Sequence, residues 1–358
     1  MRILWFNHRD IRHPKAGGAE RTIYEVGRRL AARGYELHLA SVNPGNLPKE
    51  EMLDGIIIHR ASGNVMAHLT VPLMIKRLKP DIIVDDMAHV IPWYSPFFTD
   101  ARVIVFFRHL HARSLPGQVP MPLAHILEWF ERTYPLVYCN SIFATETSTG
   151  MEDIVHLGIR KGIIRKIPPG VDTELFRRGK KTEMPSLVYF GGMRKYKRPW
   201  LAVEVLKMLS QIEGITLTVI GEGKALEKMK GMSDRCGLGI RIIFAGRIPD
   251  GELADIVAAS WVNLHFSMTE GFGLSILEAA AAGTPTVALD APGVSEIVNE
   301  FGLGKTVRDL EEFPWALSDV LDANKSWSER VNASAALFSW DECTEKWECV
   351  LDGKKESG

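Results

Sequence analysis

The feature that most constrains this chain is a series of short, unbroken apolar runs, separated by segments of helical periodicity, that stops once and begins again. In the first half the runs are Ile3 to Phe6 and residues 36–41, 56–59, 81–84, 103–107 and 136–139. Strands that are apolar throughout, rather than alternating, belong to a parallel sheet covered on both faces by helices. Residues 19–33 are the first such helix, with Ile23, Val26, Gly27 and Leu30 on one face. The series breaks at residues 166–186, a polar stretch with three prolines and two glycines. It resumes with strands expected at 187–190, 215–221, 240–246, 261–266 and 284–289, and helices near 198–209, 225–236, 250–259 and from Gly273 onward. The expectation is an α/β chain of two Rossmann-like parallel-sheet domains, residues 1–168 and 169–339, facing each other across a cleft. Residues 324–352 read as two further helices, and the terminal KKESG, with no apolar anchor, reads as frayed.

Other classes fall away on simple grounds. A length of 358 residues suits two domains, and 46% hydrophobic residues excludes a disordered chain. Cys139, Cys236, Cys343 and Cys349 form no CxxC pair, so neither a disulfide scaffold nor a zinc cluster is expected. The opening MRILWFNHRDIRHPK has too short an apolar run for a signal peptide, and no stretch reaches the length of a membrane span. A cytoplasmic protein, in peripheral contact with the inner face of a membrane at most, is the expectation. Residues 1–168 carry 21 basic and 16 acidic side chains, against 22 and 28 in the remainder. That excess favours an anionic partner, but lacks the dense basic tract that nucleic acid would require.

Open α/β sheets bind ligands beyond the carboxyl ends of their strands, so the polar groups there matter most. Gly17 and Gly18 follow the first strand and open a helix, where free amides favour an oxyanion; the alternative is a plain strand-to-helix turn capped by Glu20 and Arg21. Arg108, His109, His111 and Arg113 follow the 103–107 strand, and His109 and His111 would share one side of an extended segment. They suit a substrate site, a metal pair or polar packing. Arg194, Lys195, Lys197 and Arg198 lie between a strand and a helix, where lysine offers a movable charge and arginine a planar fork for phosphate. Glu270 stands before the helix that Gly271 and Gly273 introduce, and Glu278 falls within it; carboxylates suit sugar or ribose hydroxyls. The pairing of the basic loop with these glutamates indicates a nucleotide-sugar site.

At these residues the chain resembles a retaining glycosyltransferase of the GT4 family, within the GT-B group. The resemblance spans GGAER at 17–21, PPGVDTELF at 168–176, the loop ending in Lys197, GEG at 221–223, and Glu270 with Glu278 inside the EGFG block. It implies that Lys197 contacts the donor diphosphate, that Glu278 holds the ribose, and that Glu270 and the following backbone of Gly271, Phe272, Gly273 and Leu274 address the donor sugar. It further implies that Gly17 and Gly18 approach the phosphate. The family places an arginine where this chain has Gly192, so Arg194 or Arg198 supplies the guanidinium. His109 takes the part of the family's imidazole, with His111 in reserve; a shifted register would put Arg108 there instead. Arg108, His111 and Arg198 are further expected contacts for acceptor or phosphate. The segment from 340 to 358 is expected to return toward the first domain.

The implied reaction moves a sugar from a nucleotide-diphosphate sugar to an acceptor hydroxyl with retention, with no metal and no cofactor beyond the donor itself. The acceptor is either saccharide or lipid-linked, the latter suggested by an amphipathic segment at 118–134 containing Met121 and His125. The alternatives are a GT-B phosphorylase, a nucleotide-sugar epimerase and a catalytically inactive nucleotide-binding module.

Overall fold

The computed structural model describes residues 1–89, 91–110 and 121–354. The chain divides into two compact units, one of Met1–Gly170 with the segment from Trp340 onward, the other of Val171–Ser339.

The first unit runs β1 (Arg2–Phe6), α1 (Gly18–Ala32), β2 (Glu36–Val42), β3 (Glu50–Leu53), β4 (Ile56–Ala61), α2 (Asn64–Leu78), β5 (Ile82–Met87), β6 (Arg102–Phe107), α3 (Met121–Arg132), α4 (Tyr134–Val137), β7 (Ile142–Thr145), α5 (Ser148–His156) and β8 (Ile164–Lys166). Its sheet has the order β3-β4-β2-β1-β5-β6-β7-β8. All neighbouring strands are parallel except β3, which pairs antiparallel with β4 through a two-residue turn at Asp54 and Gly55. An Asp-Gly pair ahead of an apolar run is a hairpin signal, and the expectation of a parallel sheet did not include this strand.

One expected strand is absent. Residues 136–139 fall in and just after the short helix α4, and the strand in that place is β7. An apolar run of four cannot by itself separate strand from buried helix. Here Tyr134 and Tyr138, one helical turn apart, are both fully buried, and the Tyr138 hydroxyl donates to Asp85 at 2.8 Å. The anchoring aromatic spacing is helical.

The second unit runs β9 (Ser186–Phe190), α6 (Leu201–Met208), β10 (Thr216–Ile220), α7 (Leu226–Arg235), β11 (Ile242–Gly246), α8 (Asp250–Ala259), β12 (Val262–His265), α9 (Leu274–Ala281), β13 (Thr286–Leu289), β14 (Gly304–Val307), α10 (Phe313–Asp322) and α11 (Asn324–Ala335). Its sheet is wholly parallel, in the order β11-β10-β9-β12-β13-β14. The central strands β9, β12 and β13 are buried throughout, with helices over both faces, while β10, β11 and β14 toward the edges are partly exposed.

The last helix, α12 (Trp340–Leu351), belongs to the first unit and packs on α1. Trp340, Cys343, Thr344, Trp347, Val350 and Leu351 are buried, a spacing that makes one helical stripe. Trp347 is fully buried against Trp5 and Phe106, with ring centroids 4.8 Å from each. Ion pairs from α1 then fix the helix, Arg29 to Asp341 at 3.0 Å and Arg33 to Glu348. No helix among the described residues is long and apolar enough to cross a membrane.

Candidate functional site

Each sheet has one place where successive connections run outward in opposite directions, and a crevice opens there beyond the strand ends. In the second unit it lies between β9 and β12, and the loops that leave those strands hold the cationic cluster and Glu270. The two loops are tied together. The Met268 amide donates to the Tyr196 carbonyl at 3.0 Å, and Arg198 donates to the carbonyls of Phe266 and Ser267 at 2.7 and 3.4 Å. Arg198 was expected to meet phosphate or acceptor. Its left-handed backbone, φ 45°, instead turns the guanidinium onto the neighbouring loop, where it serves as a clamp.

The glycines of GEG allow this loop to sit where it does. A Cβ on Gly221 would stand 2.0 Å from the Gly191 carbonyl oxygen, so only a glycine permits the approach. The Met193 amide then donates to the Glu222 carbonyl at 3.0 Å.

Lys197 ends a short 3₁₀ turn, and its Nζ lies 3.1 Å from Glu270 Oε1. Ser267 Oγ donates to that same oxygen at 2.6 Å, and His265 Nε2 is 3.3 Å from it. Burial pushes the Glu270 carboxyl up, but Lys197, His265 and Ser267 outweigh it and hold the group well below the usual carboxylate range. Burial likewise lowers Lys197, yet the facing carboxylate holds it above its ordinary value. Both side chains are therefore charged at neutral pH. The donors crowd onto Oε1 and leave Oε2 as the acceptor that a ligand hydroxyl can use.

Gly271 follows Glu270, and Gly273 caps α9. Phe272 turns its ring into the core against Phe301 and Phe338, so only its backbone can face a ligand; Leu274 is likewise partly packed into the core. Glu278 lies one turn beyond Leu274, about 6 Å along the axis, on the half-exposed face that includes Ser275. Arg194 is exposed, and its Nε stands 3.7 Å from where a Cβ on Gly192 would lie. Its side chain thus lies beside Gly192, which is itself exposed.

In the first unit the crevice position lies between β1 and β5. His8 and Arg9 follow β1, and His89 follows β5. His8 Nε2 is 3.2 Å from His68 Nε2, and both rings lie 4.5 Å from Trp93. Gly17 and Gly18 start α1 as expected, but the Gly17 amide donates to Glu20 Oε2 at 2.7 Å. The helix terminus is satisfied by its own carboxylate, the capping alternative, and a phosphate would meet that charge.

Arg108 is also not the surface contact expected of it. The guanidinium is buried, bonded to Asp86 at 2.8 and 3.1 Å and to Glu146 at 2.8 Å. Asp86 and Glu146 stand on other strands' ends beneath α1, and their charges draw the guanidinium inward. His109, the next residue, is partly exposed, as is Leu110 after it. His111 lies outside the described residues. Among the described residues, no group of three or more His, Cys, Asp or Glu is placed to hold a metal ion.

Sequence reasoning passed over His265 and Ser267. Both follow from the strand-end rule that found Glu270, since His265 is the last residue of β12.

The two-sheet α/β architecture is that of the GT-B glycosyltransferases. Sucrose-phosphate synthase from Thermosynechococcus elongatus superposes with a TM-score of 0.81 at 19% identity, over 98% of each chain. Anabaena Alr3699/HepE, solved in complex with UDP-glucose, superposes with a TM-score of 0.77 at 16% identity, over 99% of this chain and 100% of that one. Residues 16–175 match the model of Glycosyltransferase Family 4, and residues 171–335 that of Glycosyl transferases group 1. The chain belongs to this family of glycosyltransferases. Among curated relatives, a D-inositol 3-phosphate glycosyltransferase of Acidothermus cellulolyticus is 24% identical over 92% of this chain and 84% of its own. Another, from Xylanimonas cellulosilytica, is 27% identical over 70% of this chain, which covers 64% of that relative's length. A GDP-mannose-dependent alpha-(1-6)-phosphatidylinositol monomannoside mannosyltransferase of Mycobacterium tuberculosis is 28% identical over 51% of this chain and 52% of its own.

Proposed function

We propose that this protein transfers a hexosyl group from a nucleotide-diphosphate sugar to an acceptor hydroxyl, with retention of anomeric configuration. The observation that carries the reading is the meeting of Lys197 and Glu270 at the β9/β12 crevice, with one carboxylate oxygen saturated and the other open. The complex of Anabaena Alr3699/HepE with UDP-glucose supports a donor of this class.

In this reading the donor diphosphate lies against Lys197, Arg194 and the backbone at the start of α9. These groups stabilise the negative charge that grows on the leaving oxygen as the sugar C1–O bond breaks. Glu270 Oε2 accepts a sugar hydroxyl, the backbone of Gly271 to Leu274 lines the sugar, and Glu278 takes the ribose hydroxyls. The acceptor oxygen bonds to C1 on the face the diphosphate leaves, and its proton passes to the departing phosphate oxygen. The two glutamates bind hydroxyls and do not form the acid–nucleophile pair of a glycosidase.

The named acceptors of two relatives, D-inositol 3-phosphate and phosphatidylinositol monomannoside, share an anionic polyol. His8, Arg9 and His89 at the first unit's crevice suit such a group. A lipid-borne acceptor at a membrane surface is supported by exposed Val65, Leu69 and Leu73 along α2 and Met121, Ile126 and Trp129 on α3.

The test is transfer and donor hydrolysis over a panel of UDP-, GDP- and ADP-sugars, with nucleoside-diphosphate binding followed by calorimetry. Lys197→Ala should weaken nucleotide binding about tenfold or more, the size of a charge-assisted contact. Glu270→Ala, which frees Lys197 from its carboxylate, should leave nucleotide binding no weaker and reduce kcat. Absence of binding to every nucleoside diphosphate refutes the reading. Turnover that requires inorganic phosphate, or that needs no acceptor, would instead identify a phosphorylase or an epimerase.

A further inference from the structure

We infer that His265 is a positioning residue for Glu270, one that takes hold of the carboxylate when a bound diphosphate draws Lys197 away. The inference rests on the donor-site reading above and adds a residue to it. His265 is 5% exposed, and its Nε2 is buried without an aligned hydrogen bond although it lies 3.3 Å from Glu270 Oε1. A buried donor left in that state calls for a physical reason. Here the reason is crowding: Oε1 already receives Lys197 at 3.1 Å and Ser267 at 2.6 Å.

The balance changes once an anion competes for Lys197. Glu270 would then retain only the Ser267 hydroxyl, and a buried carboxylate so poorly compensated is costly. From 3.3 Å, a shift of a few tenths of an ångström brings the imidazole N–H to ordinary hydrogen-bond length. The ring need carry no charge, only the proton on Nε2. Glu270 thereby stays ionised and aimed while Lys197 serves the diphosphate. Without His265, the lysine is bound more firmly to the carboxylate, and the nucleotide must break that pair unaided.

The experiment compares His265→Phe, which keeps the ring volume, with His265→Gln, which keeps a donor, each in wild-type and Glu270→Gln backgrounds. UDP, GDP and ADP binding, kcat and KM are measured, with Tm as the check on folding. His265→Phe should weaken nucleoside-diphosphate binding about tenfold and lower kcat, and His265→Gln should restore most of both. In the Glu270→Gln background the effect of His265→Phe should vanish, since the group it serves is gone. Unchanged binding and turnover in His265→Phe, or a loss that persists without Glu270, overturns the inference.

A ligand-free arm keeps the two readings separable. In Lys197→Met, the ¹⁵N resonance of His265 Nε2 should move toward the hydrogen-bonded position, and a fixed resonance overturns the inference even if no nucleotide binds. Failure of the wild-type protein to bind any nucleoside diphosphate, with the resonance moving as expected, would refute the donor site and leave the His265–Glu270 coupling standing.

Discussion

Replacing Arg108 with methionine removes the one guanidinium that joins Asp86 and Glu146 in the interior of the first unit. Asp86 is bound through both oxygens and Glu146 through one; the arginine also donates to the Ala19 carbonyl at 3.3 Å and packs 3.7 Å over the Phe106 ring. Leaving a buried charge without its partner costs about 3–5 kcal/mol, and here two carboxylates lose theirs. Burial pushes both carboxyls above their ordinary values, with Arg108 pulling the other way. The folded chain therefore binds more protons than the unfolded chain, from the unfolded values of about 4 up to the folded ones. Stability contributed by these groups falls as pH rises through that window. Without the guanidinium the folded values climb further and the window extends toward neutrality. Arg108→Met should thus be more destabilised at pH 7.5 than at pH 5. Hydrogen exchange of the amides in β1, β5 and β6 reads this locally, without assuming that the two units unfold together. A loss below about 1 kcal/mol, or one unchanged between the two pH values, would refute the ion-pair hub.

Two further outcomes are expected. Asp85 is fully buried and, despite bonds from Ser95 and Tyr138, pushed up to about 6 by burial. Its contribution to stability should fall by about 2 kcal/mol as pH rises from 4 to 6, and Asp85→Asn should reduce the slope by that amount in urea denaturation series; an unchanged slope would place the titration elsewhere. Gly293 has φ 80°, and a Cβ there would stand 2.2 Å from the Glu270 carbonyl oxygen. Gly293→Ala should cost more than about 1 kcal/mol and, by displacing Glu270, lower kcat; wild-type kcat in a folded variant would show that the carboxylate tolerates the shift.

Several things were readable in the chain because they depend on near neighbours. Unbroken apolar runs such as 187–190 and 103–107 specify buried parallel strands, and the polar stretch at 166–186 marks where one series stops. Glycines beside charged residues at strand ends brought Lys197, Glu270 and Glu278 to attention, since the period of a strand and the pitch of a helix are local properties. The run at 136–139 shows the limit of such reading, because four apolar residues fit either period and the Tyr138–Asp85 contact joins residues 53 apart. Which cations remain available to a ligand was decided only by folding. Arg108, Arg198 and Arg194 look alike in sequence; one is neutralised by carboxylates from other strands, one clamps a neighbouring loop, and one stays exposed. The same holds for His265, whose importance appears only when β12 delivers it to the oxygen that Lys197 and Ser267 already hold. Charge pairing falls steeply with distance and depends on burial, and both are set by the three-dimensional path of the chain.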